Sequence, residues 1–518
     1  SRMFGYFFVH GKCGEWYPLN PDNGFSCEDL SAPALKHFRQ WLRNRYPDSR
    51  EREMKFKSLS QFEMAEVRLP ATEYMQNASR LYHHLLEDEE KVIRMANDLP
   101  PAEIEKTLPN NTVRRHISKY GILRDPAQSW DTIEYLRHRR ELYAEMVIFF
   151  SRAVKEASGG RSVVGTFASY LMSEFFCDAE LEIHKFGFQQ ILREAESLDV
   201  VTAPSHYYLR EIATGDANCK GVLGSQNLTG KLFIDENDQG TCLSDRARNK
   251  CYGTPDSDFA ISIEDLKRSF ILRLCQGAGL WWYDFGRGWY DHPKLEDAIS
   301  RLYRIHQSLL ENGNGAAFSN SIDRLNVIYS TGMYDYLCSC SNWALRNSSN
   351  YVQRHFNRSG FPWEAFFLED LALAPRRKAY LFLNTFSIDK DTRCFIDREL
   401  KKDGNILIWI YAAGLYEGET LSLKNCRELT GLELDWNLDW QEMAIKITDF
   451  SHPVTTGLEN VTLPSFGTGI AEDMPYDTVG DKISPQIFCV DRDAVNLGVN
   501  EFNGKSAFAV RDFGTWKS

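Results

Sequence analysis

The regular alternation of short apolar runs with amphipathic helices over residues 1–312 is the feature that most constrains this chain. Five runs of strand length begin near residues 4, 162, 199, 231 and 279. Helical patterns cover residues 31–46, 129–157, 181–197 and 262–276. Strands that alternate with helices are typical of βαβ units, whose helices cover the faces of a parallel sheet. We therefore predict an α/β fold for this part of the chain.

Acidic and aromatic side chains follow or end three of these strands. They are Glu15 and Trp16 for the first strand, Glu236 and Asp238 for the fourth, and Trp281, Trp282 and Asp284 for the fifth. In parallel barrels the active-site residues gather at the carboxyl ends of the strands, and two carboxyl groups there can cleave a glycosidic bond. The pattern predicts a (β/α) barrel that acts on glycosides.

The two glutamates are expected to have different roles. An apolar wall such as Trp16 favours the neutral form of a carboxylic acid, so Glu15 is the expected general acid and base. Glu236 is expected to stay ionised and to attack the anomeric carbon, with Asp238 as the alternative nucleophile. The acids beside Glu236 also leave a metal or ion-pair role open at this position.

The remaining candidates would bind the substrate. Sugars present apolar C–H faces that stack on aromatic rings, so we expect one of Trp281, Trp282 and Trp289 to line the site and at least one to pack in the core. Asp284 either accepts hydrogen bonds from substrate hydroxyls or pairs with Arg287. The candidates that follow the third strand are His206, Tyr207 and Tyr208, of which one tyrosine is expected to hold the nucleophile.

Charge and motifs exclude several other functions. The formal net charge of −12 argues against nucleic acid and other polyanionic partners. No apolar run approaches the ~18 residues of a membrane-spanning helix, so we expect a soluble protein. The chain has no Walker lysine, no GxSxG elbow and no zinc-type cysteine spacing, and we expect no metal and no cofactor.

The cysteines and glycosylation sequons bear on the compartment. The twelve cysteines fit either buried free thiols or disulfides formed in an oxidising compartment. N-x-S/T sequons start at Asn77, Asn110, Asn227, Asn347, Asn357 and Asn460. Because such sequons are glycosylation acceptors in secreted proteins, they favour a secreted glycoprotein over a cytoplasmic one.

A second α/β unit is predicted beyond the glycine-rich run at 312–315. Apolar strands at 326–329, 379–383 and 406–410, with a helix at 388–402, indicate an open parallel sheet. Residues from about 486 onward have the pattern of a β-domain.

These motifs resemble glycoside hydrolase family 42, the β-galactosidases of a large clan of retaining (β/α)8 enzymes. Residues 13–16 and the helix at 38–46 resemble the fourth strand of the family, its acid/base glutamate and the helix that follows. Residues 230–236 resemble the seventh strand with its nucleophile, and residues 277–284 resemble the eighth strand.

The resemblance implies three domains. They are a TIM-type (β/α)8 barrel at 1–312 with strands four to eight and a helical insertion at about 50–125, a flavodoxin-like α/β domain at 313–485, and the beginning of a β-domain at 486–518. If Glu15 closes the fourth strand, three βα units of ~30 residues each precede residue 1. The family's flavodoxin-like domain builds a trimer, so the resemblance also implies a homotrimer.

One departure from the family supports a different function. The acid/base glutamate of this clan usually follows an asparagine, whereas Gly14 precedes Glu15 here. Together with the three absent βα units, this makes a non-catalytic carbohydrate-binding or structural protein the alternative. A β-galactoside is the substrate that the family implies, and a β-mannoside or another neutral glycan stays open.

Overall fold

The computed structural model describes most of the chain outside its long loops. The described residues are 4–9, 32–48, 50, 119–168, 187–205, 219–244, 258–284, 288–312, 323–337, 356–357, 359–439, 441–442, 444–459 and 482–518. The predictions made for Glu15, Trp16, His206, Tyr207 and Tyr208 lie outside these residues. Most of the insertion predicted at 50–125 lies outside them as well.

The first half of the chain forms a five-stranded parallel sheet. Its strands are β1 (Gly5–Phe8), β2 (Val163–Phe167), β3 (Val200–Pro204), β4 (Leu232–Asn237) and β5 (Gly279–Trp282). Each strand pairs in parallel with the next one along the chain, in the order β1-β2-β3-β4-β5. Because parallel strands need crossover connections, this order agrees with the predicted α/β class.

The sheet is strongly curved. Three strands separate β1 from β5, which would set them ~19 Å apart in a flat sheet with strands about 4.8 Å from one another. Yet the rings of Phe7 on β1 and Trp281 on β5 meet edge to face, with centroids 6.4 Å apart. The sheet therefore bends towards the face that carries these two rings, which we call the concave face.

Helices connect the strands and cover the opposite, helix-facing side. They are α1 (Ala32–Arg45), α2 (Pro126–Ala157), α3 (Phe188–Glu194), α4 (Leu223–Thr229), α5 (Phe259–Cys275) and α6 (Pro293–Asn312). Two begin at an aspartate whose carboxylate accepts backbone N–H groups: Asp125 caps α2, and Asp258 caps α5. Such caps satisfy the N–H groups that a helix leaves unpaired in its first turn.

A second parallel sheet follows α6. It contains β6 (Leu325–Tyr329), β7 (Trp363–Phe367), β8 (Ala379–Phe382), β9 (Asn405–Trp409) and β19 (Trp516–Lys517). The spatial order is β19-β9-β8-β6-β7, so the first of these strands in the chain lies between the second and the third. Helices α7 (Lys390–Phe395) and α8 (Leu423–Thr430) belong to the same half of the chain.

Short, mostly antiparallel strands make up the rest of the C-terminal part. They are β10 (Tyr416–Glu417), β11 (Thr420–Leu421), β12 (Leu434–Asn437), β13 (Gln441–Glu442), β14 (Ile445–Ile447), β15 (Lys482–Ile483), β16 (Gln486–Cys489), β17 (Val495–Asn500) and β18 (Ser506–Val510). The antiparallel group β14-β17-β18 combines a strand near residue 445 with two strands beyond residue 486. The chain then returns to the second sheet, where β19 pairs in parallel with β9.

The two parallel sheets share one hydrophobic core. Side chains of the first sheet such as Val201 and Phe233 belong to the same buried cluster as Val327 and Phe367 of the second. Helix α4 approaches β7 so closely that a Cβ atom at Gly224 would lie 2.4 Å from the carbonyl oxygen of Ala365. A residue with a side chain cannot occupy this position without a shift of the backbone.

Buried ionic contacts tie α2 to the short 3-10 helix at Gly332–Tyr336 that follows β6. Asp335, which is 1% exposed, accepts hydrogen bonds from Arg137 Nε at 3.2 Å and from Arg140 Nη2 at 3.0 Å. Arg137 also donates to the hydroxyl of Tyr336 at 2.6 Å. These contacts join the two halves of the chain through charged groups removed from water. Within the described ranges, none of the helices has the length and apolar character to span a membrane.

Candidate active site

Glu236 lies at the carboxyl end of β4, on the concave face. Residues that pair directly across a parallel sheet point to the same face, and Glu236 pairs with Pro204 on β3 and with Trp281 on β5. Its neighbour Asp235 points to the helix-facing side, as Phe233 does. Glu236 is 8% exposed, so its carboxyl group is largely shielded from bulk water.

The alternation of β5 separates the two candidate tryptophans. Trp281 shares the concave face with Glu236 and contacts Phe7. Trp282 points the other way and packs against Leu266 of α5 and Leu295 of α6. The structure thus brings Trp281, but not Trp282, to the face that carries Glu236.

Asp238 and Tyr283 lie beside Glu236. The pKa of the Tyr283 hydroxyl is raised, first by burial and then by the negative charges of Glu236 and Asp238. The backbone N–H of Tyr283 donates to the carbonyl of Asn237 at 2.8 Å, which holds the ends of β4 and β5 together. Asp238 is itself 1% exposed. The described part of this end of the sheet is therefore acidic and carries one phenol near both carboxylates.

Asp284 lies two residues after the end of β5. Its carboxylate accepts hydrogen bonds from the backbone N–H groups of Gly288 and Trp289, each at 3.2 Å. Trp289 is 1% exposed and packs as a core residue. Arg287, the alternative partner predicted for Asp284, lies outside the described residues. Asp284 thus contacts the backbone at Gly288 and Trp289.

A buried polar group lies under Glu236 on the helix-facing side of β4. The Asp235 carboxylate is fully buried, and its Oδ2 lies 3.1 Å from Arg273 Nε of α5. The Ser205 hydroxyl donates to the same oxygen at 2.8 Å. Cys219 is also close, since it forms an isolated antiparallel β-bridge with Ser205. Burial raises the pKa of its thiol, and the charges of Arg273 and Asp235 act on that pKa in opposite directions.

Sequence reasoning missed Ser205, Arg273 and Tyr283. Ser205 directly follows β3, and Tyr283 directly follows β5, so both stand where site residues gather in parallel barrels. The signal for Arg273 was its place on the buried side of an amphipathic helix, where a charge needs a partner. That partner lies 38 positions earlier in the sequence, and no local pattern indicates it.

Neither a metal centre nor a disulfide is present in the ranges that the structure describes. No group of three or more histidine, cysteine, aspartate or glutamate side chains there is arranged to hold a metal ion. The described cysteines are unpaired, and they are Cys219, Cys242, Cys275, Cys394, Cys426 and Cys489. Of the acids near Glu236, Asp235 forms an ion pair with Arg273, and Asp284 accepts backbone hydrogen bonds.

Comparison with known proteins connects this fold to a glycosidase structure. No protein-family model matches the sequence, and no curated protein matches it. Among solved structures, a β-galactosidase from the psychrophilic Marinomonas ef1 matches with a TM-score of 0.51 and 11% sequence identity, over 95% of this chain and 65% of that chain. The exo-β-1,4-mannosidase Op5Man5 from Opitutaceae bacterium strain TAV5 matches with a TM-score of 0.44 and 11% identity, over 77% of this chain and 74% of its own. The chain spans 65% of the length of the Marinomonas enzyme and shares its fold over that part.

Proposed function

We propose that this chain is a retaining glycoside hydrolase of the family 42 type, with Glu236 as nucleophile and Glu15 as acid and base. The observation that carries the proposal is the position of Glu236 at the carboxyl end of a parallel strand, on the concave face beside Trp281. A shielded carboxylate next to an aromatic ring offers both a nucleophile and a surface on which a sugar can stack. The fold shared with the Marinomonas β-galactosidase supports the same class of enzyme.

The curvature of the first sheet supports an eight-stranded barrel. Four steps separate β1 from β5, and each step around a barrel of eight strands turns by about 45°. The two strands would then stand half a turn apart, with their inward side chains meeting near the axis. Phe7 and Trp281, with ring centroids 6.4 Å apart, have the separation expected of such a pair.

The free edge of β5 supports a barrel with more than five strands. No strand of the described ranges pairs with this edge. A cavity of about 580 Å³ is lined mainly by apolar groups of β5, α5 and α6. At the other end of the sheet, Phe4 and Val9 around β1 are 80% and 55% exposed. Further strands along both edges would close the proposed barrel and cover these side chains.

The proposed reaction is a double displacement. Glu236 attacks the anomeric carbon and forms a glycosyl ester, while Glu15 gives its proton to the leaving oxygen. Glu15 then removes a proton from water, which attacks the ester and releases Glu236 as a carboxylate. This mechanism needs the two carboxyl groups ~5–5.5 Å apart, and it retains the configuration of the anomeric carbon.

The stereochemistry and the role of Glu15 can be tested together. Proton NMR of the first product formed from an aryl β-glycoside should show the β-anomer. Glu15→Gln should reduce turnover of substrates with a poor leaving group by about 10²–10⁴-fold and that of dinitrophenyl glycosides far less, because a good leaving group needs no proton. An α-anomer would refute retention. Binding of the glycoside without any turnover by the wild type would instead favour the carbohydrate-binding alternative.

We propose a β-galactoside as the substrate, on the basis of the family resemblance. The acidic groups near Glu236 favour a neutral sugar over a uronate or sulfated one, because like charges repel. A panel of nitrophenyl β-D-galactoside, β-D-mannoside, β-D-glucoside and β-D-glucuronide tests both points. A preference for the glucuronide would contradict the electrostatic argument.

We also propose a second unit that begins near residue 313. This unit is flavodoxin-like and builds a homotrimer. Its parallel sheet has the strand order 2-1-3-4-5, which is the order of flavodoxin-like folds. A trimer predicts a mass in solution three times the chain mass of 59.7 kDa. Light scattering coupled to size-exclusion chromatography measures this mass directly, and a monomer at micromolar concentration would contradict the assembly.

A further inference from the structure

The buried group under Glu236 consists of Asp235, Arg273 and Ser205, and it contacts β4 at two adjacent residues. Ser205 donates its hydroxyl to Asp235 Oδ2 at 2.8 Å and its backbone N–H to the carbonyl oxygen of Glu236 at 2.9 Å. Arg273 holds the same Asp235 oxygen from α5, with its Nε 3.1 Å away. One loop residue and one helix residue thus contact the strand end from the side opposite to the Glu236 carboxyl group.

All three side chains are removed from water. Asp235 is 0% exposed, Arg273 is 1% exposed and Ser205 is 3% exposed. A buried ion pair often contributes little more to stability than well-packed apolar residues of similar volume. A buried ion pair can, however, fix the geometry of a site, because each charged group restricts the positions that its partner can take.

We propose that Asp235, Arg273 and Ser205 are positioning residues that aim the Glu236 carboxylate at the anomeric carbon. The inference rests on the proposed function of Glu236. Because side chains alternate along a strand, fixing Asp235 towards α5 orients Glu236 towards the concave face. The hydrogen bond from the backbone N–H of Ser205 fixes the carbonyl group of Glu236. Misplacement of a reacting group by 1 Å can cost about 10²-fold in rate.

The charges of Asp235 and Arg273 also act on Glu236, and they do so in opposite directions. Charged and titratable groups in this region include Arg273 on α5 and Cys219 beside Ser205, both near Asp235, and Asp238 and Tyr283 near Glu236. Loss of the Arg273 charge leaves Asp235 negative, which raises the pKa of a neighbouring carboxyl group. Loss of the Asp235 charge leaves Arg273 positive, which lowers it. Removing both charges should largely cancel the two shifts.

The first experiment measures pH profiles of four variants of the full chain. We expect Asp235→Asn, Arg273→Gln and Ser205→Ala to lower kcat by about 10–10²-fold, with KM within about twofold of the wild type. The acidic limb of kcat/KM, which reports the free enzyme's essential base, should move to higher pH in Arg273→Gln and to lower pH in Asp235→Asn. In the double variant Asp235→Asn/Arg273→Gln, the acidic limb should return to its wild-type pH. The kcat of this variant should be no lower than that of either single variant.

The matched controls are Asp297→Asn and Arg301→Gln, which break an exposed ion pair on α6. They should leave kcat and the pH profile unchanged. The proposal would be overturned if the acidic limb of kcat/KM moved in the same direction in Asp235→Asn and Arg273→Gln. A rise in KM with kcat unchanged would also overturn it.

A second readout separates this inference from the proposed function. Glutamate labelled with ¹³C at the side-chain carboxyl allows NMR titration of Glu236, with its signal identified by its loss in Glu236→Gln. Opposite shifts of this titration in Asp235→Asn and Arg273→Gln would support the electrostatic part even in a chain without turnover. A titration of Glu236 that is the same in both variants would refute the coupling, whatever the activity.

Discussion

Glu236→Gln is expected to reduce kcat by about 10⁴-fold or more, a loss of the size seen when the nucleophile of another hydrolase is removed. The amide has nearly the shape of the carboxylate but cannot form a glycosyl ester. Because the substitution keeps the size of the side chain, KM and the melting temperature should change little. Initial rates with a dinitrophenyl β-glycoside, together with a thermal unfolding curve, test this expectation.

Two controls make the result specific to Glu236. Asp238→Asn removes the neighbouring buried carboxylate, which is the alternative nucleophile. It should lower kcat far less, because Asp238 does not attack the anomeric carbon in the proposed reaction. Glu264→Gln changes an exposed glutamate on α5 and should have no effect. Retained activity in Glu236→Gln, combined with loss in Asp238→Asn, would transfer the nucleophile to Asp238.

Asp335→Asn is expected to lower the free energy of unfolding by about 3–5 kcal/mol. The carboxylate contacts both Arg137 and Arg140, whose side chains are 17% and 16% exposed. Its removal breaks the ion pair of Arg140 with Asp335 and one ion pair of Arg137, which still pairs with Glu134 Oε1 at 2.5 Å. Urea unfolding followed by circular dichroism measures the change as a shift of the midpoint with an unchanged m-value.

Asp297→Asn is the matched control for this prediction. Asp297 pairs with Arg301 at the surface of α6, where both side chains are more than half exposed, and such pairs contribute about 0–1 kcal/mol. A midpoint shift in Asp335→Asn no larger than that in the control would show that the contact between α2 and the second unit does not stabilise the fold. A change in the m-value would instead indicate separate unfolding of the two halves.

Local pattern was sufficient to predict most elements of both sheets. The helix expected at 129–157 runs from Pro126 to Ala157, and the strand expected at 199–203 is β3 (Val200–Pro204). In such segments periodic apolar residues, end caps and turn residues lie within a few positions of one another. The place of Glu236 at the end of β4 was predicted for the same reason, because a strand boundary is a local feature.

The strand β7 (Trp363–Phe367) was not predicted. Its central and last residues are buried at the edge of the second sheet, against α4. A five-residue segment without regular alternation does not distinguish a strand from part of a helix or a loop. Its conformation depends on pairing with β6, which precedes it by some forty residues.

The amino-acid sequence by itself determined the class of fold, the ends of the strands and the type of residue at those ends. Only the tertiary structure decided that Trp281 shares a face with Glu236 while Trp282 packs against α5 and α6. It also decided that Arg273 pairs with Asp235. The physical reason is range: periodicity and capping act between neighbours in the chain, whereas the face of a strand and the partner of a buried charge follow from packing between distant segments.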